Sequence, residues 1–223
     1  MDLHAIDYPS AFAEAAKQVE ESLRDLPTAR LDDFPAEGTV CAVVDLNVGF
    51  CRRGALASPY ADAVVPRAAA LARACAERQI YTLAYTDCHR DDSPEFSAYP
   101  PHCVKGSGEE KVVEQIAAVP GIKIVEKAST NGFLNWYVKE LLDRYEVGHL
   151  IVTGCVTDIC VYQLATTCKA YANAEGRALD VVVPLDCVDT FDIPGVHNRD
   201  FYNAVFAASM QANGVRLVER IEW

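Results

Sequence analysis

No apolar run in this chain approaches the roughly 20 residues that a helix needs to cross a bilayer. The opening stretch, M-D-L-H-A-I-D-Y, lacks the basic flank and apolar core of a secretion signal. Basic residues are few: 20 Lys and Arg stand against 32 Asp and Glu, a net charge of −12, which argues against nucleic acid or an anionic membrane as a partner. The nine cysteines are scattered, odd in number and free of any C-x-x-C pair. That excludes a disulfide framework and a Cys-rich zinc cluster, and suits reduced thiols in the cytoplasm. Repeats, low-complexity segments and linkers are absent. Histidine occurs only five times, so two in one loop carry weight.

What remains is 223 residues, 51% hydrophobic, enough for one well-buried domain. Residues 1–38 read as an N-terminal helical appendage without chemistry of its own, with Ser10 as N-cap and Phe12, Val19 and Leu23 on one face. Residues 39–223 read as the main domain. Strands are expected at 39–46, 80–86, 122–126, 149–153, 180–184 and 215–218. Helices are expected at 60–78, 109–118, 133–145, 158–175 and 196–211. The first strand, T-V-C-A-V-V-D-L, is apolar on both faces, as in a sheet covered on both sides. The alternation predicts a three-layer α/β/α fold around a mostly parallel, six-stranded sheet. Such sheets bind ligands beyond the carboxyl ends of their strands.

Residues with chemical potential stand at those ends. The fourth strand stops at Gly154 and restarts as a helix with Cys160 in its first turn, where unpaired N–H groups and the helix dipole favour a thiolate. Asp45 follows the first strand and Lys127 the third. A desolvated carboxylate can take a thiol proton, and an ammonium beside it can hold both charges. The plainer alternative is a buried Asp–Lys pair and an inert cysteine. The backbone N–H groups of Thr157 to Cys160 are candidates for an oxyanion hole. The long loop at 87–108 carries Asp87 and His89 in a D-x-H pattern and His102 after Pro100–Pro101, a donor set suited to zinc, manganese or iron, with Glu95 or Ser97 as a further ligand. The alternative is a solvated acidic loop. Phe50, Tyr99 and Trp136 are candidates to sandwich a flat ring, with core packing as the other reading.

Five segments together, V-V-D-L-N-V-G-F-C (43–51), T-D-C-H (86–89), Y-P-P-H-C-V-K-G (99–106), E-K-A-S-T-N-G-F (126–133) and G-C-V-T-D-I-C-V (154–161), resemble the nicotinamidases of the isochorismatase-like cysteine hydrolase superfamily. The likeness runs from about residue 40 to the C-terminus. It implies a triad of Asp45, Lys127 and Cys160, and metal ligands Asp87, His89 and His102. Phe50 and Tyr99 fall at ring-packing positions, the latter usually Trp. It also implies a cis peptide at Val156–Thr157 and hydrolysis of nicotinamide to nicotinate and ammonia through a thioester, in a homo-oligomer holding one divalent ion, zinc first. L-N-V-G-F departs from the commoner form with Asp before Phe, and the short acidic loop leaves the fourth ligand open, Glu95 being one candidate. Another small amide as substrate, or a non-catalytic binding member of the fold, are the alternatives.

Overall fold

Short, mostly apolar stretches make a main sheet of seven strands, one more than expected, because a two-residue strand joins it after the fifth expected one. The computed structural model describes residues 3–223; Met1 and Asp2 of the expected appendage lie outside the described residues. In chain order, α1 (Tyr8–Leu23) and β1 (Ala29–Arg30) precede β2 (Thr39–Val44), every residue of which is buried. Then come α2 (Val48–Cys51), α3 (Pro59–Glu77), β3 (Tyr81–Asp87), α4 (Glu114–Ala117), β4 (Lys123–Lys127), α5 (Tyr137–Arg144) and β5 (His149–Cys155). The chain closes with α6 (Tyr162–Ala174), β6 (Asp180–Pro184), β7 (Val188–Asp189), α7 (Arg199–Ala212), β8 (Arg216–Val218) and β9 (Ile221–Glu222).

The strand order is β4-β3-β2-β5-β6-β8, and every pair is parallel. Where the β5–β6 pairing ends, the short β7 takes over, with Gly154 beside Val188 and Cys155 beside Asp189. One face is covered by α5, α6 and α7 through Val138, Leu164, Cys168 and Met210. The other is covered by α3, whose Ala61, Ala68, Ala69 and Ala72 let the helix lie close to the strands. These are the three layers expected. Because the chain steps from β2 outward to β3 and β4, then returns to β5 on β2's other side, the topological switch lies at the end of β2, the usual ligand crevice of such sheets.

Several boundaries differ from the sequence reading, each for a local reason. The α1 N-cap is Asp7, not Ser10: its carboxylate accepts from the Ser10 hydroxyl at 2.7 Å, and Pro9 fits the first turn. Within the N-terminal segment α1 buries none of its residues, whereas Ala29, Leu31 and Phe34 are buried with Cys75, Ile151 and Ile221, and β1 pairs with β9. Only Glu114–Ala117 of the expected 109–118 helix forms, since the carbonyls of Glu109 and Lys111 accept from Gly49 and Val48 instead. The 133–145 helix starts late: Asn131 caps a 3-10 turn at Gly132–Asn135, and Trp136 at φ +73° breaks the path before α5. Gly154 does not end its strand. It lies within β5 at φ +112°, where a Cβ would stand 2.0 Å from the Val44 carbonyl oxygen. Glycine is what lets β5 lie against β2 there.

Candidate active site

Three strand ends supply the charged groups, and the turn after a fourth supplies the thiol. Lys127 neighbours Asp87 in the β3–β4 register, so both side chains leave the same face, and Lys127 Nζ pairs with Asp87 Oδ1. Nζ also lies 2.8 Å from Asp45 Oδ2 and 3.9 Å from Cys160 Sγ, and donates to the Ser129 carbonyl at 3.0 Å. Asp45, at φ +54°, ends β2, and its carbonyl accepts from the Cys155 thiol at 3.1 Å. All three expected triad residues thus meet, fully or almost fully buried.

Their ionisation follows from burial and from each other. Burial pushes the Asp45 carboxyl up, Lys127 pulls it back and Asp87 raises it again, leaving it at about 7. Burial opposes the Lys127 charge, yet Asp45, Cys160 and Asp87 together hold its pKa above the ordinary lysine value. Burial also raises the Cys160 thiol; Lys127 opposes this, while Asp45 and Asp87 add to it. Burial and the two carboxylates therefore work against the thiolate expected from a helix end, and Lys127 works for it. Cys160 sits in one π-helical turn, Thr157–Val161, that precedes α6, facing a carboxyl able to take its proton. The cis peptide is Cys155–Val156, not Val156–Thr157, so it falls directly at the end of β5, one residue earlier than expected.

Beside the triad, Asp87, His89, Glu95 and His102 turn one ligand atom each toward a common point, all within 4.8 Å of one another. Both histidine Nε2 atoms lie 3.7 Å from Asp87 Oδ2 and 3.7–3.8 Å from Glu95 Oε1. Bonds of about 2.1 Å to one tetrahedral ion would place neighbouring donors roughly 3.4 Å apart, close to this spacing. The donor chemistry fits as well. His89 Nε2 is buried without a hydrogen-bond partner, while His89 Nδ1 lies 3.4 Å from Ser93 Oγ. His102 Nδ1 donates to the Pro100 carbonyl at 2.9 Å, which leaves its Nε2 lone pair facing the cluster. Of the two candidates for a fourth ligand, Glu95 joins the cluster. Ser97 is exposed and bonds the Pro94 carbonyl.

Cys160, Asp87, Glu95 and His102 line a cavity of about 510 Å³ at the sheet's carboxyl edge. Phe50 and Tyr99 line it too, with ring centroids 5.5 and 6.2 Å from that of His102. Trp136 takes neither expected role: it is 72% exposed and away from the cavity. Val156 lines the cavity, and Thr157, the first residue of the turn, is buried.

Some contributors escape a reading of the sequence. Asn47, within L-N-V-G-F, is buried and caps the turn that presents Phe50, accepting from its N–H at 3.0 Å. Glu109 accepts from the Cys103 N–H at 3.0 Å and so pins the loop beside His102. Phe191, His197 and Tyr202 form another wall of the cavity. The S/T/D/N-x-x pattern before Phe50 is a capping signal that could have marked Asn47; nothing local marks the others.

The isochorismatase domain family matches residues 39–214. Nicotinamidase 1 of Arabidopsis thaliana is 29% identical over a 214-residue alignment that covers 81% of this chain and 85% of that protein. Two solved structures share the fold. PnC1 from L. infantum, in complex with nicotinate, aligns with a TM-score of 0.69 at 19% identity over 86% of this chain and 96% of its own. Pyrazinamidase of Pyrococcus horikoshii, in complex with zinc, aligns at 0.67 with 22% identity over 81% and 98%. The matched span holds every strand of the main sheet except the last, together with all the residues gathered at its carboxyl edge, and the chain belongs to the isochorismatase family.

Proposed function

We propose that the protein is a nicotinamide amidohydrolase, using Cys160 as nucleophile to convert nicotinamide and water to nicotinate and ammonia. The observation that carries this is the cavity: a thiol beside a carboxyl and an ammonium at one wall, a four-donor cluster at the next, and two aromatic rings flanking it. The Arabidopsis nicotinamidase, similar over most of both chains, supports the choice of substrate.

In this reading the pyridine ring packs between Phe50 and Tyr99. Asp45 takes the Cys160 proton as sulfur attacks the amide carbon. The N–H groups of Thr157 and Cys160 hold the tetrahedral oxygen. Asp45 gives its proton to the departing amine, and ammonia leaves. Asp45 then takes a proton from water as water attacks the thioester, which releases nicotinate and returns the proton to sulfur. Lys127 keeps Asp45 in place and stabilises its charge through these transfers. Asp87, His89, Glu95 and His102 would hold a divalent ion, zinc by the donor set. When bound it supplies a cationic anchor for the ring nitrogen. The reading places the enzyme in the cytoplasm, where its nine free cysteines stay reduced.

Ammonia release from nicotinamide tests this directly. The wild-type protein is expected to release it and Cys160→Ala to release none. No release by wild type refutes the substrate, and release that survives Cys160→Ala refutes the thioester.

A further inference from the structure

The steps above leave unused a buried Asp–His hydrogen-bonded pair next to the nucleophile's turn. Asp158, two residues before Cys160, has both carboxylate oxygens occupied. Oδ1 accepts from Thr190 Oγ1 at 2.5 Å, and Oδ2 accepts from His197 Nε2 at 2.9 Å. His197 Nδ1 donates to the Phe191 carbonyl at 3.0 Å. Both ring nitrogens are thus engaged, one with a backbone carbonyl and one with the Asp158 carboxyl. The imidazole is held between Phe191 and Tyr202, with centroids 4.0 and 3.7 Å away and planes within 28° and 14°. Asp158, Thr190 and His197 are all buried.

Two features give this cluster more than a packing role. First, Asp158 belongs to the same π-helical turn as Cys160, so whatever fixes its carboxylate fixes the backbone that aims the sulfur. Second, Phe191, His197 and Tyr202 line the cavity that Cys160 lines. The β5–β7 register sets the connection: Asp189 lies beside Cys155, which delivers Thr190 to the turn. The nucleophile is thereby held from two sides. Lys127 reaches its sulfur from β4, and the Asp158 carboxylate anchors its turn to the segment between β7 and α7.

We propose that His197 is a positioning residue for Cys160: through Asp158 it fixes the turn carrying the thiol and ties that turn to the aromatic wall of the cavity. The proposal rests on the reading of Cys160 as the nucleophile of an amide hydrolysis. Touching neither sulfur nor Asp45, His197 acts on the alignment of attack, not on proton transfer.

The test compares wild type with His197→Ala, His197→Gln and Thr190→Val, measuring kcat and KM on nicotinamide. It also measures Kd for pyridine-3-carbaldehyde, whose carbonyl adds to a thiol to give a thiohemiacetal, and for nicotinate, which forms no covalent adduct. A misaligned reacting atom costs about 10- to 100-fold. His197→Ala is expected to lose that much in kcat and to weaken the aldehyde in parallel, with KM and nicotinate Kd within about 3-fold of wild type. His197→Gln, which keeps one donor for Asp158, is expected to recover part of both losses. If His197→Ala does not fold, Thr190→Val removes one of the two bonds to Asp158 and is expected to show the same split to a smaller degree. A lowered melting temperature with kcat and aldehyde Kd unchanged overturns the proposal in favour of plain support. A KM rise at constant kcat overturns it in favour of a substrate contact. Wild type that binds the aldehyde but leaves nicotinamide intact sinks the substrate assignment and not the clamp, which the aldehyde series then decides. Wild type that does neither ends both.

Discussion

Exchanging Lys127 for methionine removes the ammonium that sits between two buried carboxylates while keeping most of the side chain's unbranched length. Asp45 is fully buried and Asp87 is 1% exposed, so neither recovers hydration by moving. Breaking one side of such a buried pair costs about 3–5 kcal/mol, and this should be the loss near pH 8. The loss should shrink in acid, and the sign follows from each group. A carboxyl whose folded pKa is raised makes stability fall as pH rises, by about 1.4 kcal/mol per pH unit, from the ordinary carboxyl range up to its folded value. In wild type that decline ends at about 7 for Asp45. Burial would raise Asp87, but Lys127, His102 and His89 hold it below its usual range, so in wild type it adds stability above that range and loses it only in strong acid. Without Lys127 both carboxyls titrate higher, and the decline continues past pH 7. Urea unfolding of the two proteins from pH 5 to 9, with a chelator present so that no other cation holds Asp87, should give a stability gap that widens with pH. Equal stabilities at pH 8, or a gap independent of pH, would refute the assignment of Lys127 as the cation that makes these burials tolerable.

Two further expectations concern catalysis and metal. Asp45 must be ionised to take the thiol proton, so kcat/KM on nicotinamide should rise with pH through about 7, its pKa in this structure, and reach a plateau above it; a profile already flat from pH 5 counts against Asp45 as the base. Glu95→Gln removes the carboxylate that completes the donor set, and metal retained after dialysis, read by elemental analysis, should fall by about 10- to 100-fold in affinity, a loss of the size seen when a site's tuning groups are removed. Retention equal to wild type would leave Glu95 outside the site.

The fold is legible because its central strands are buried on both faces and therefore spelled as apolar runs, which need no knowledge of their neighbours. Thr39–Val44 and Asp180–Pro184 show this well. What failed were the places where a glycine, asparagine or glutamate serves a distant partner. Gly154 looks like a stop signal in isolation, and its real role depends on Val44, 110 residues earlier in the chain and 2.0 Å from where a Cβ would be. The helix expected at 109–118 was lost because its first carbonyls are used by the turn at Val48–Gly49. Local propensity cannot see either competitor.

The candidate site divides along the same line. Asp45, Asp87, Lys127 and Cys160 could be gathered from the sequence because one topological rule sends every strand's carboxyl end to the same edge, so a polar residue just after an apolar run is already placed. Glu95 and Ser97 could not be separated, since each lies on a loop whose path is set by Glu109 reaching Cys103 and by Pro100 accepting from His102. The Asp158–His197 pair was hidden more deeply. Its partners are 39 residues apart and meet only because the two-residue β7 continues the sheet beside β5 after β6 has ended. A strand that short leaves no periodic trace. The groups assigned to chemistry in this proposal stand where a general rule puts them, whereas those that hold them in place depend on pairings particular to this chain, which no window along the sequence contains.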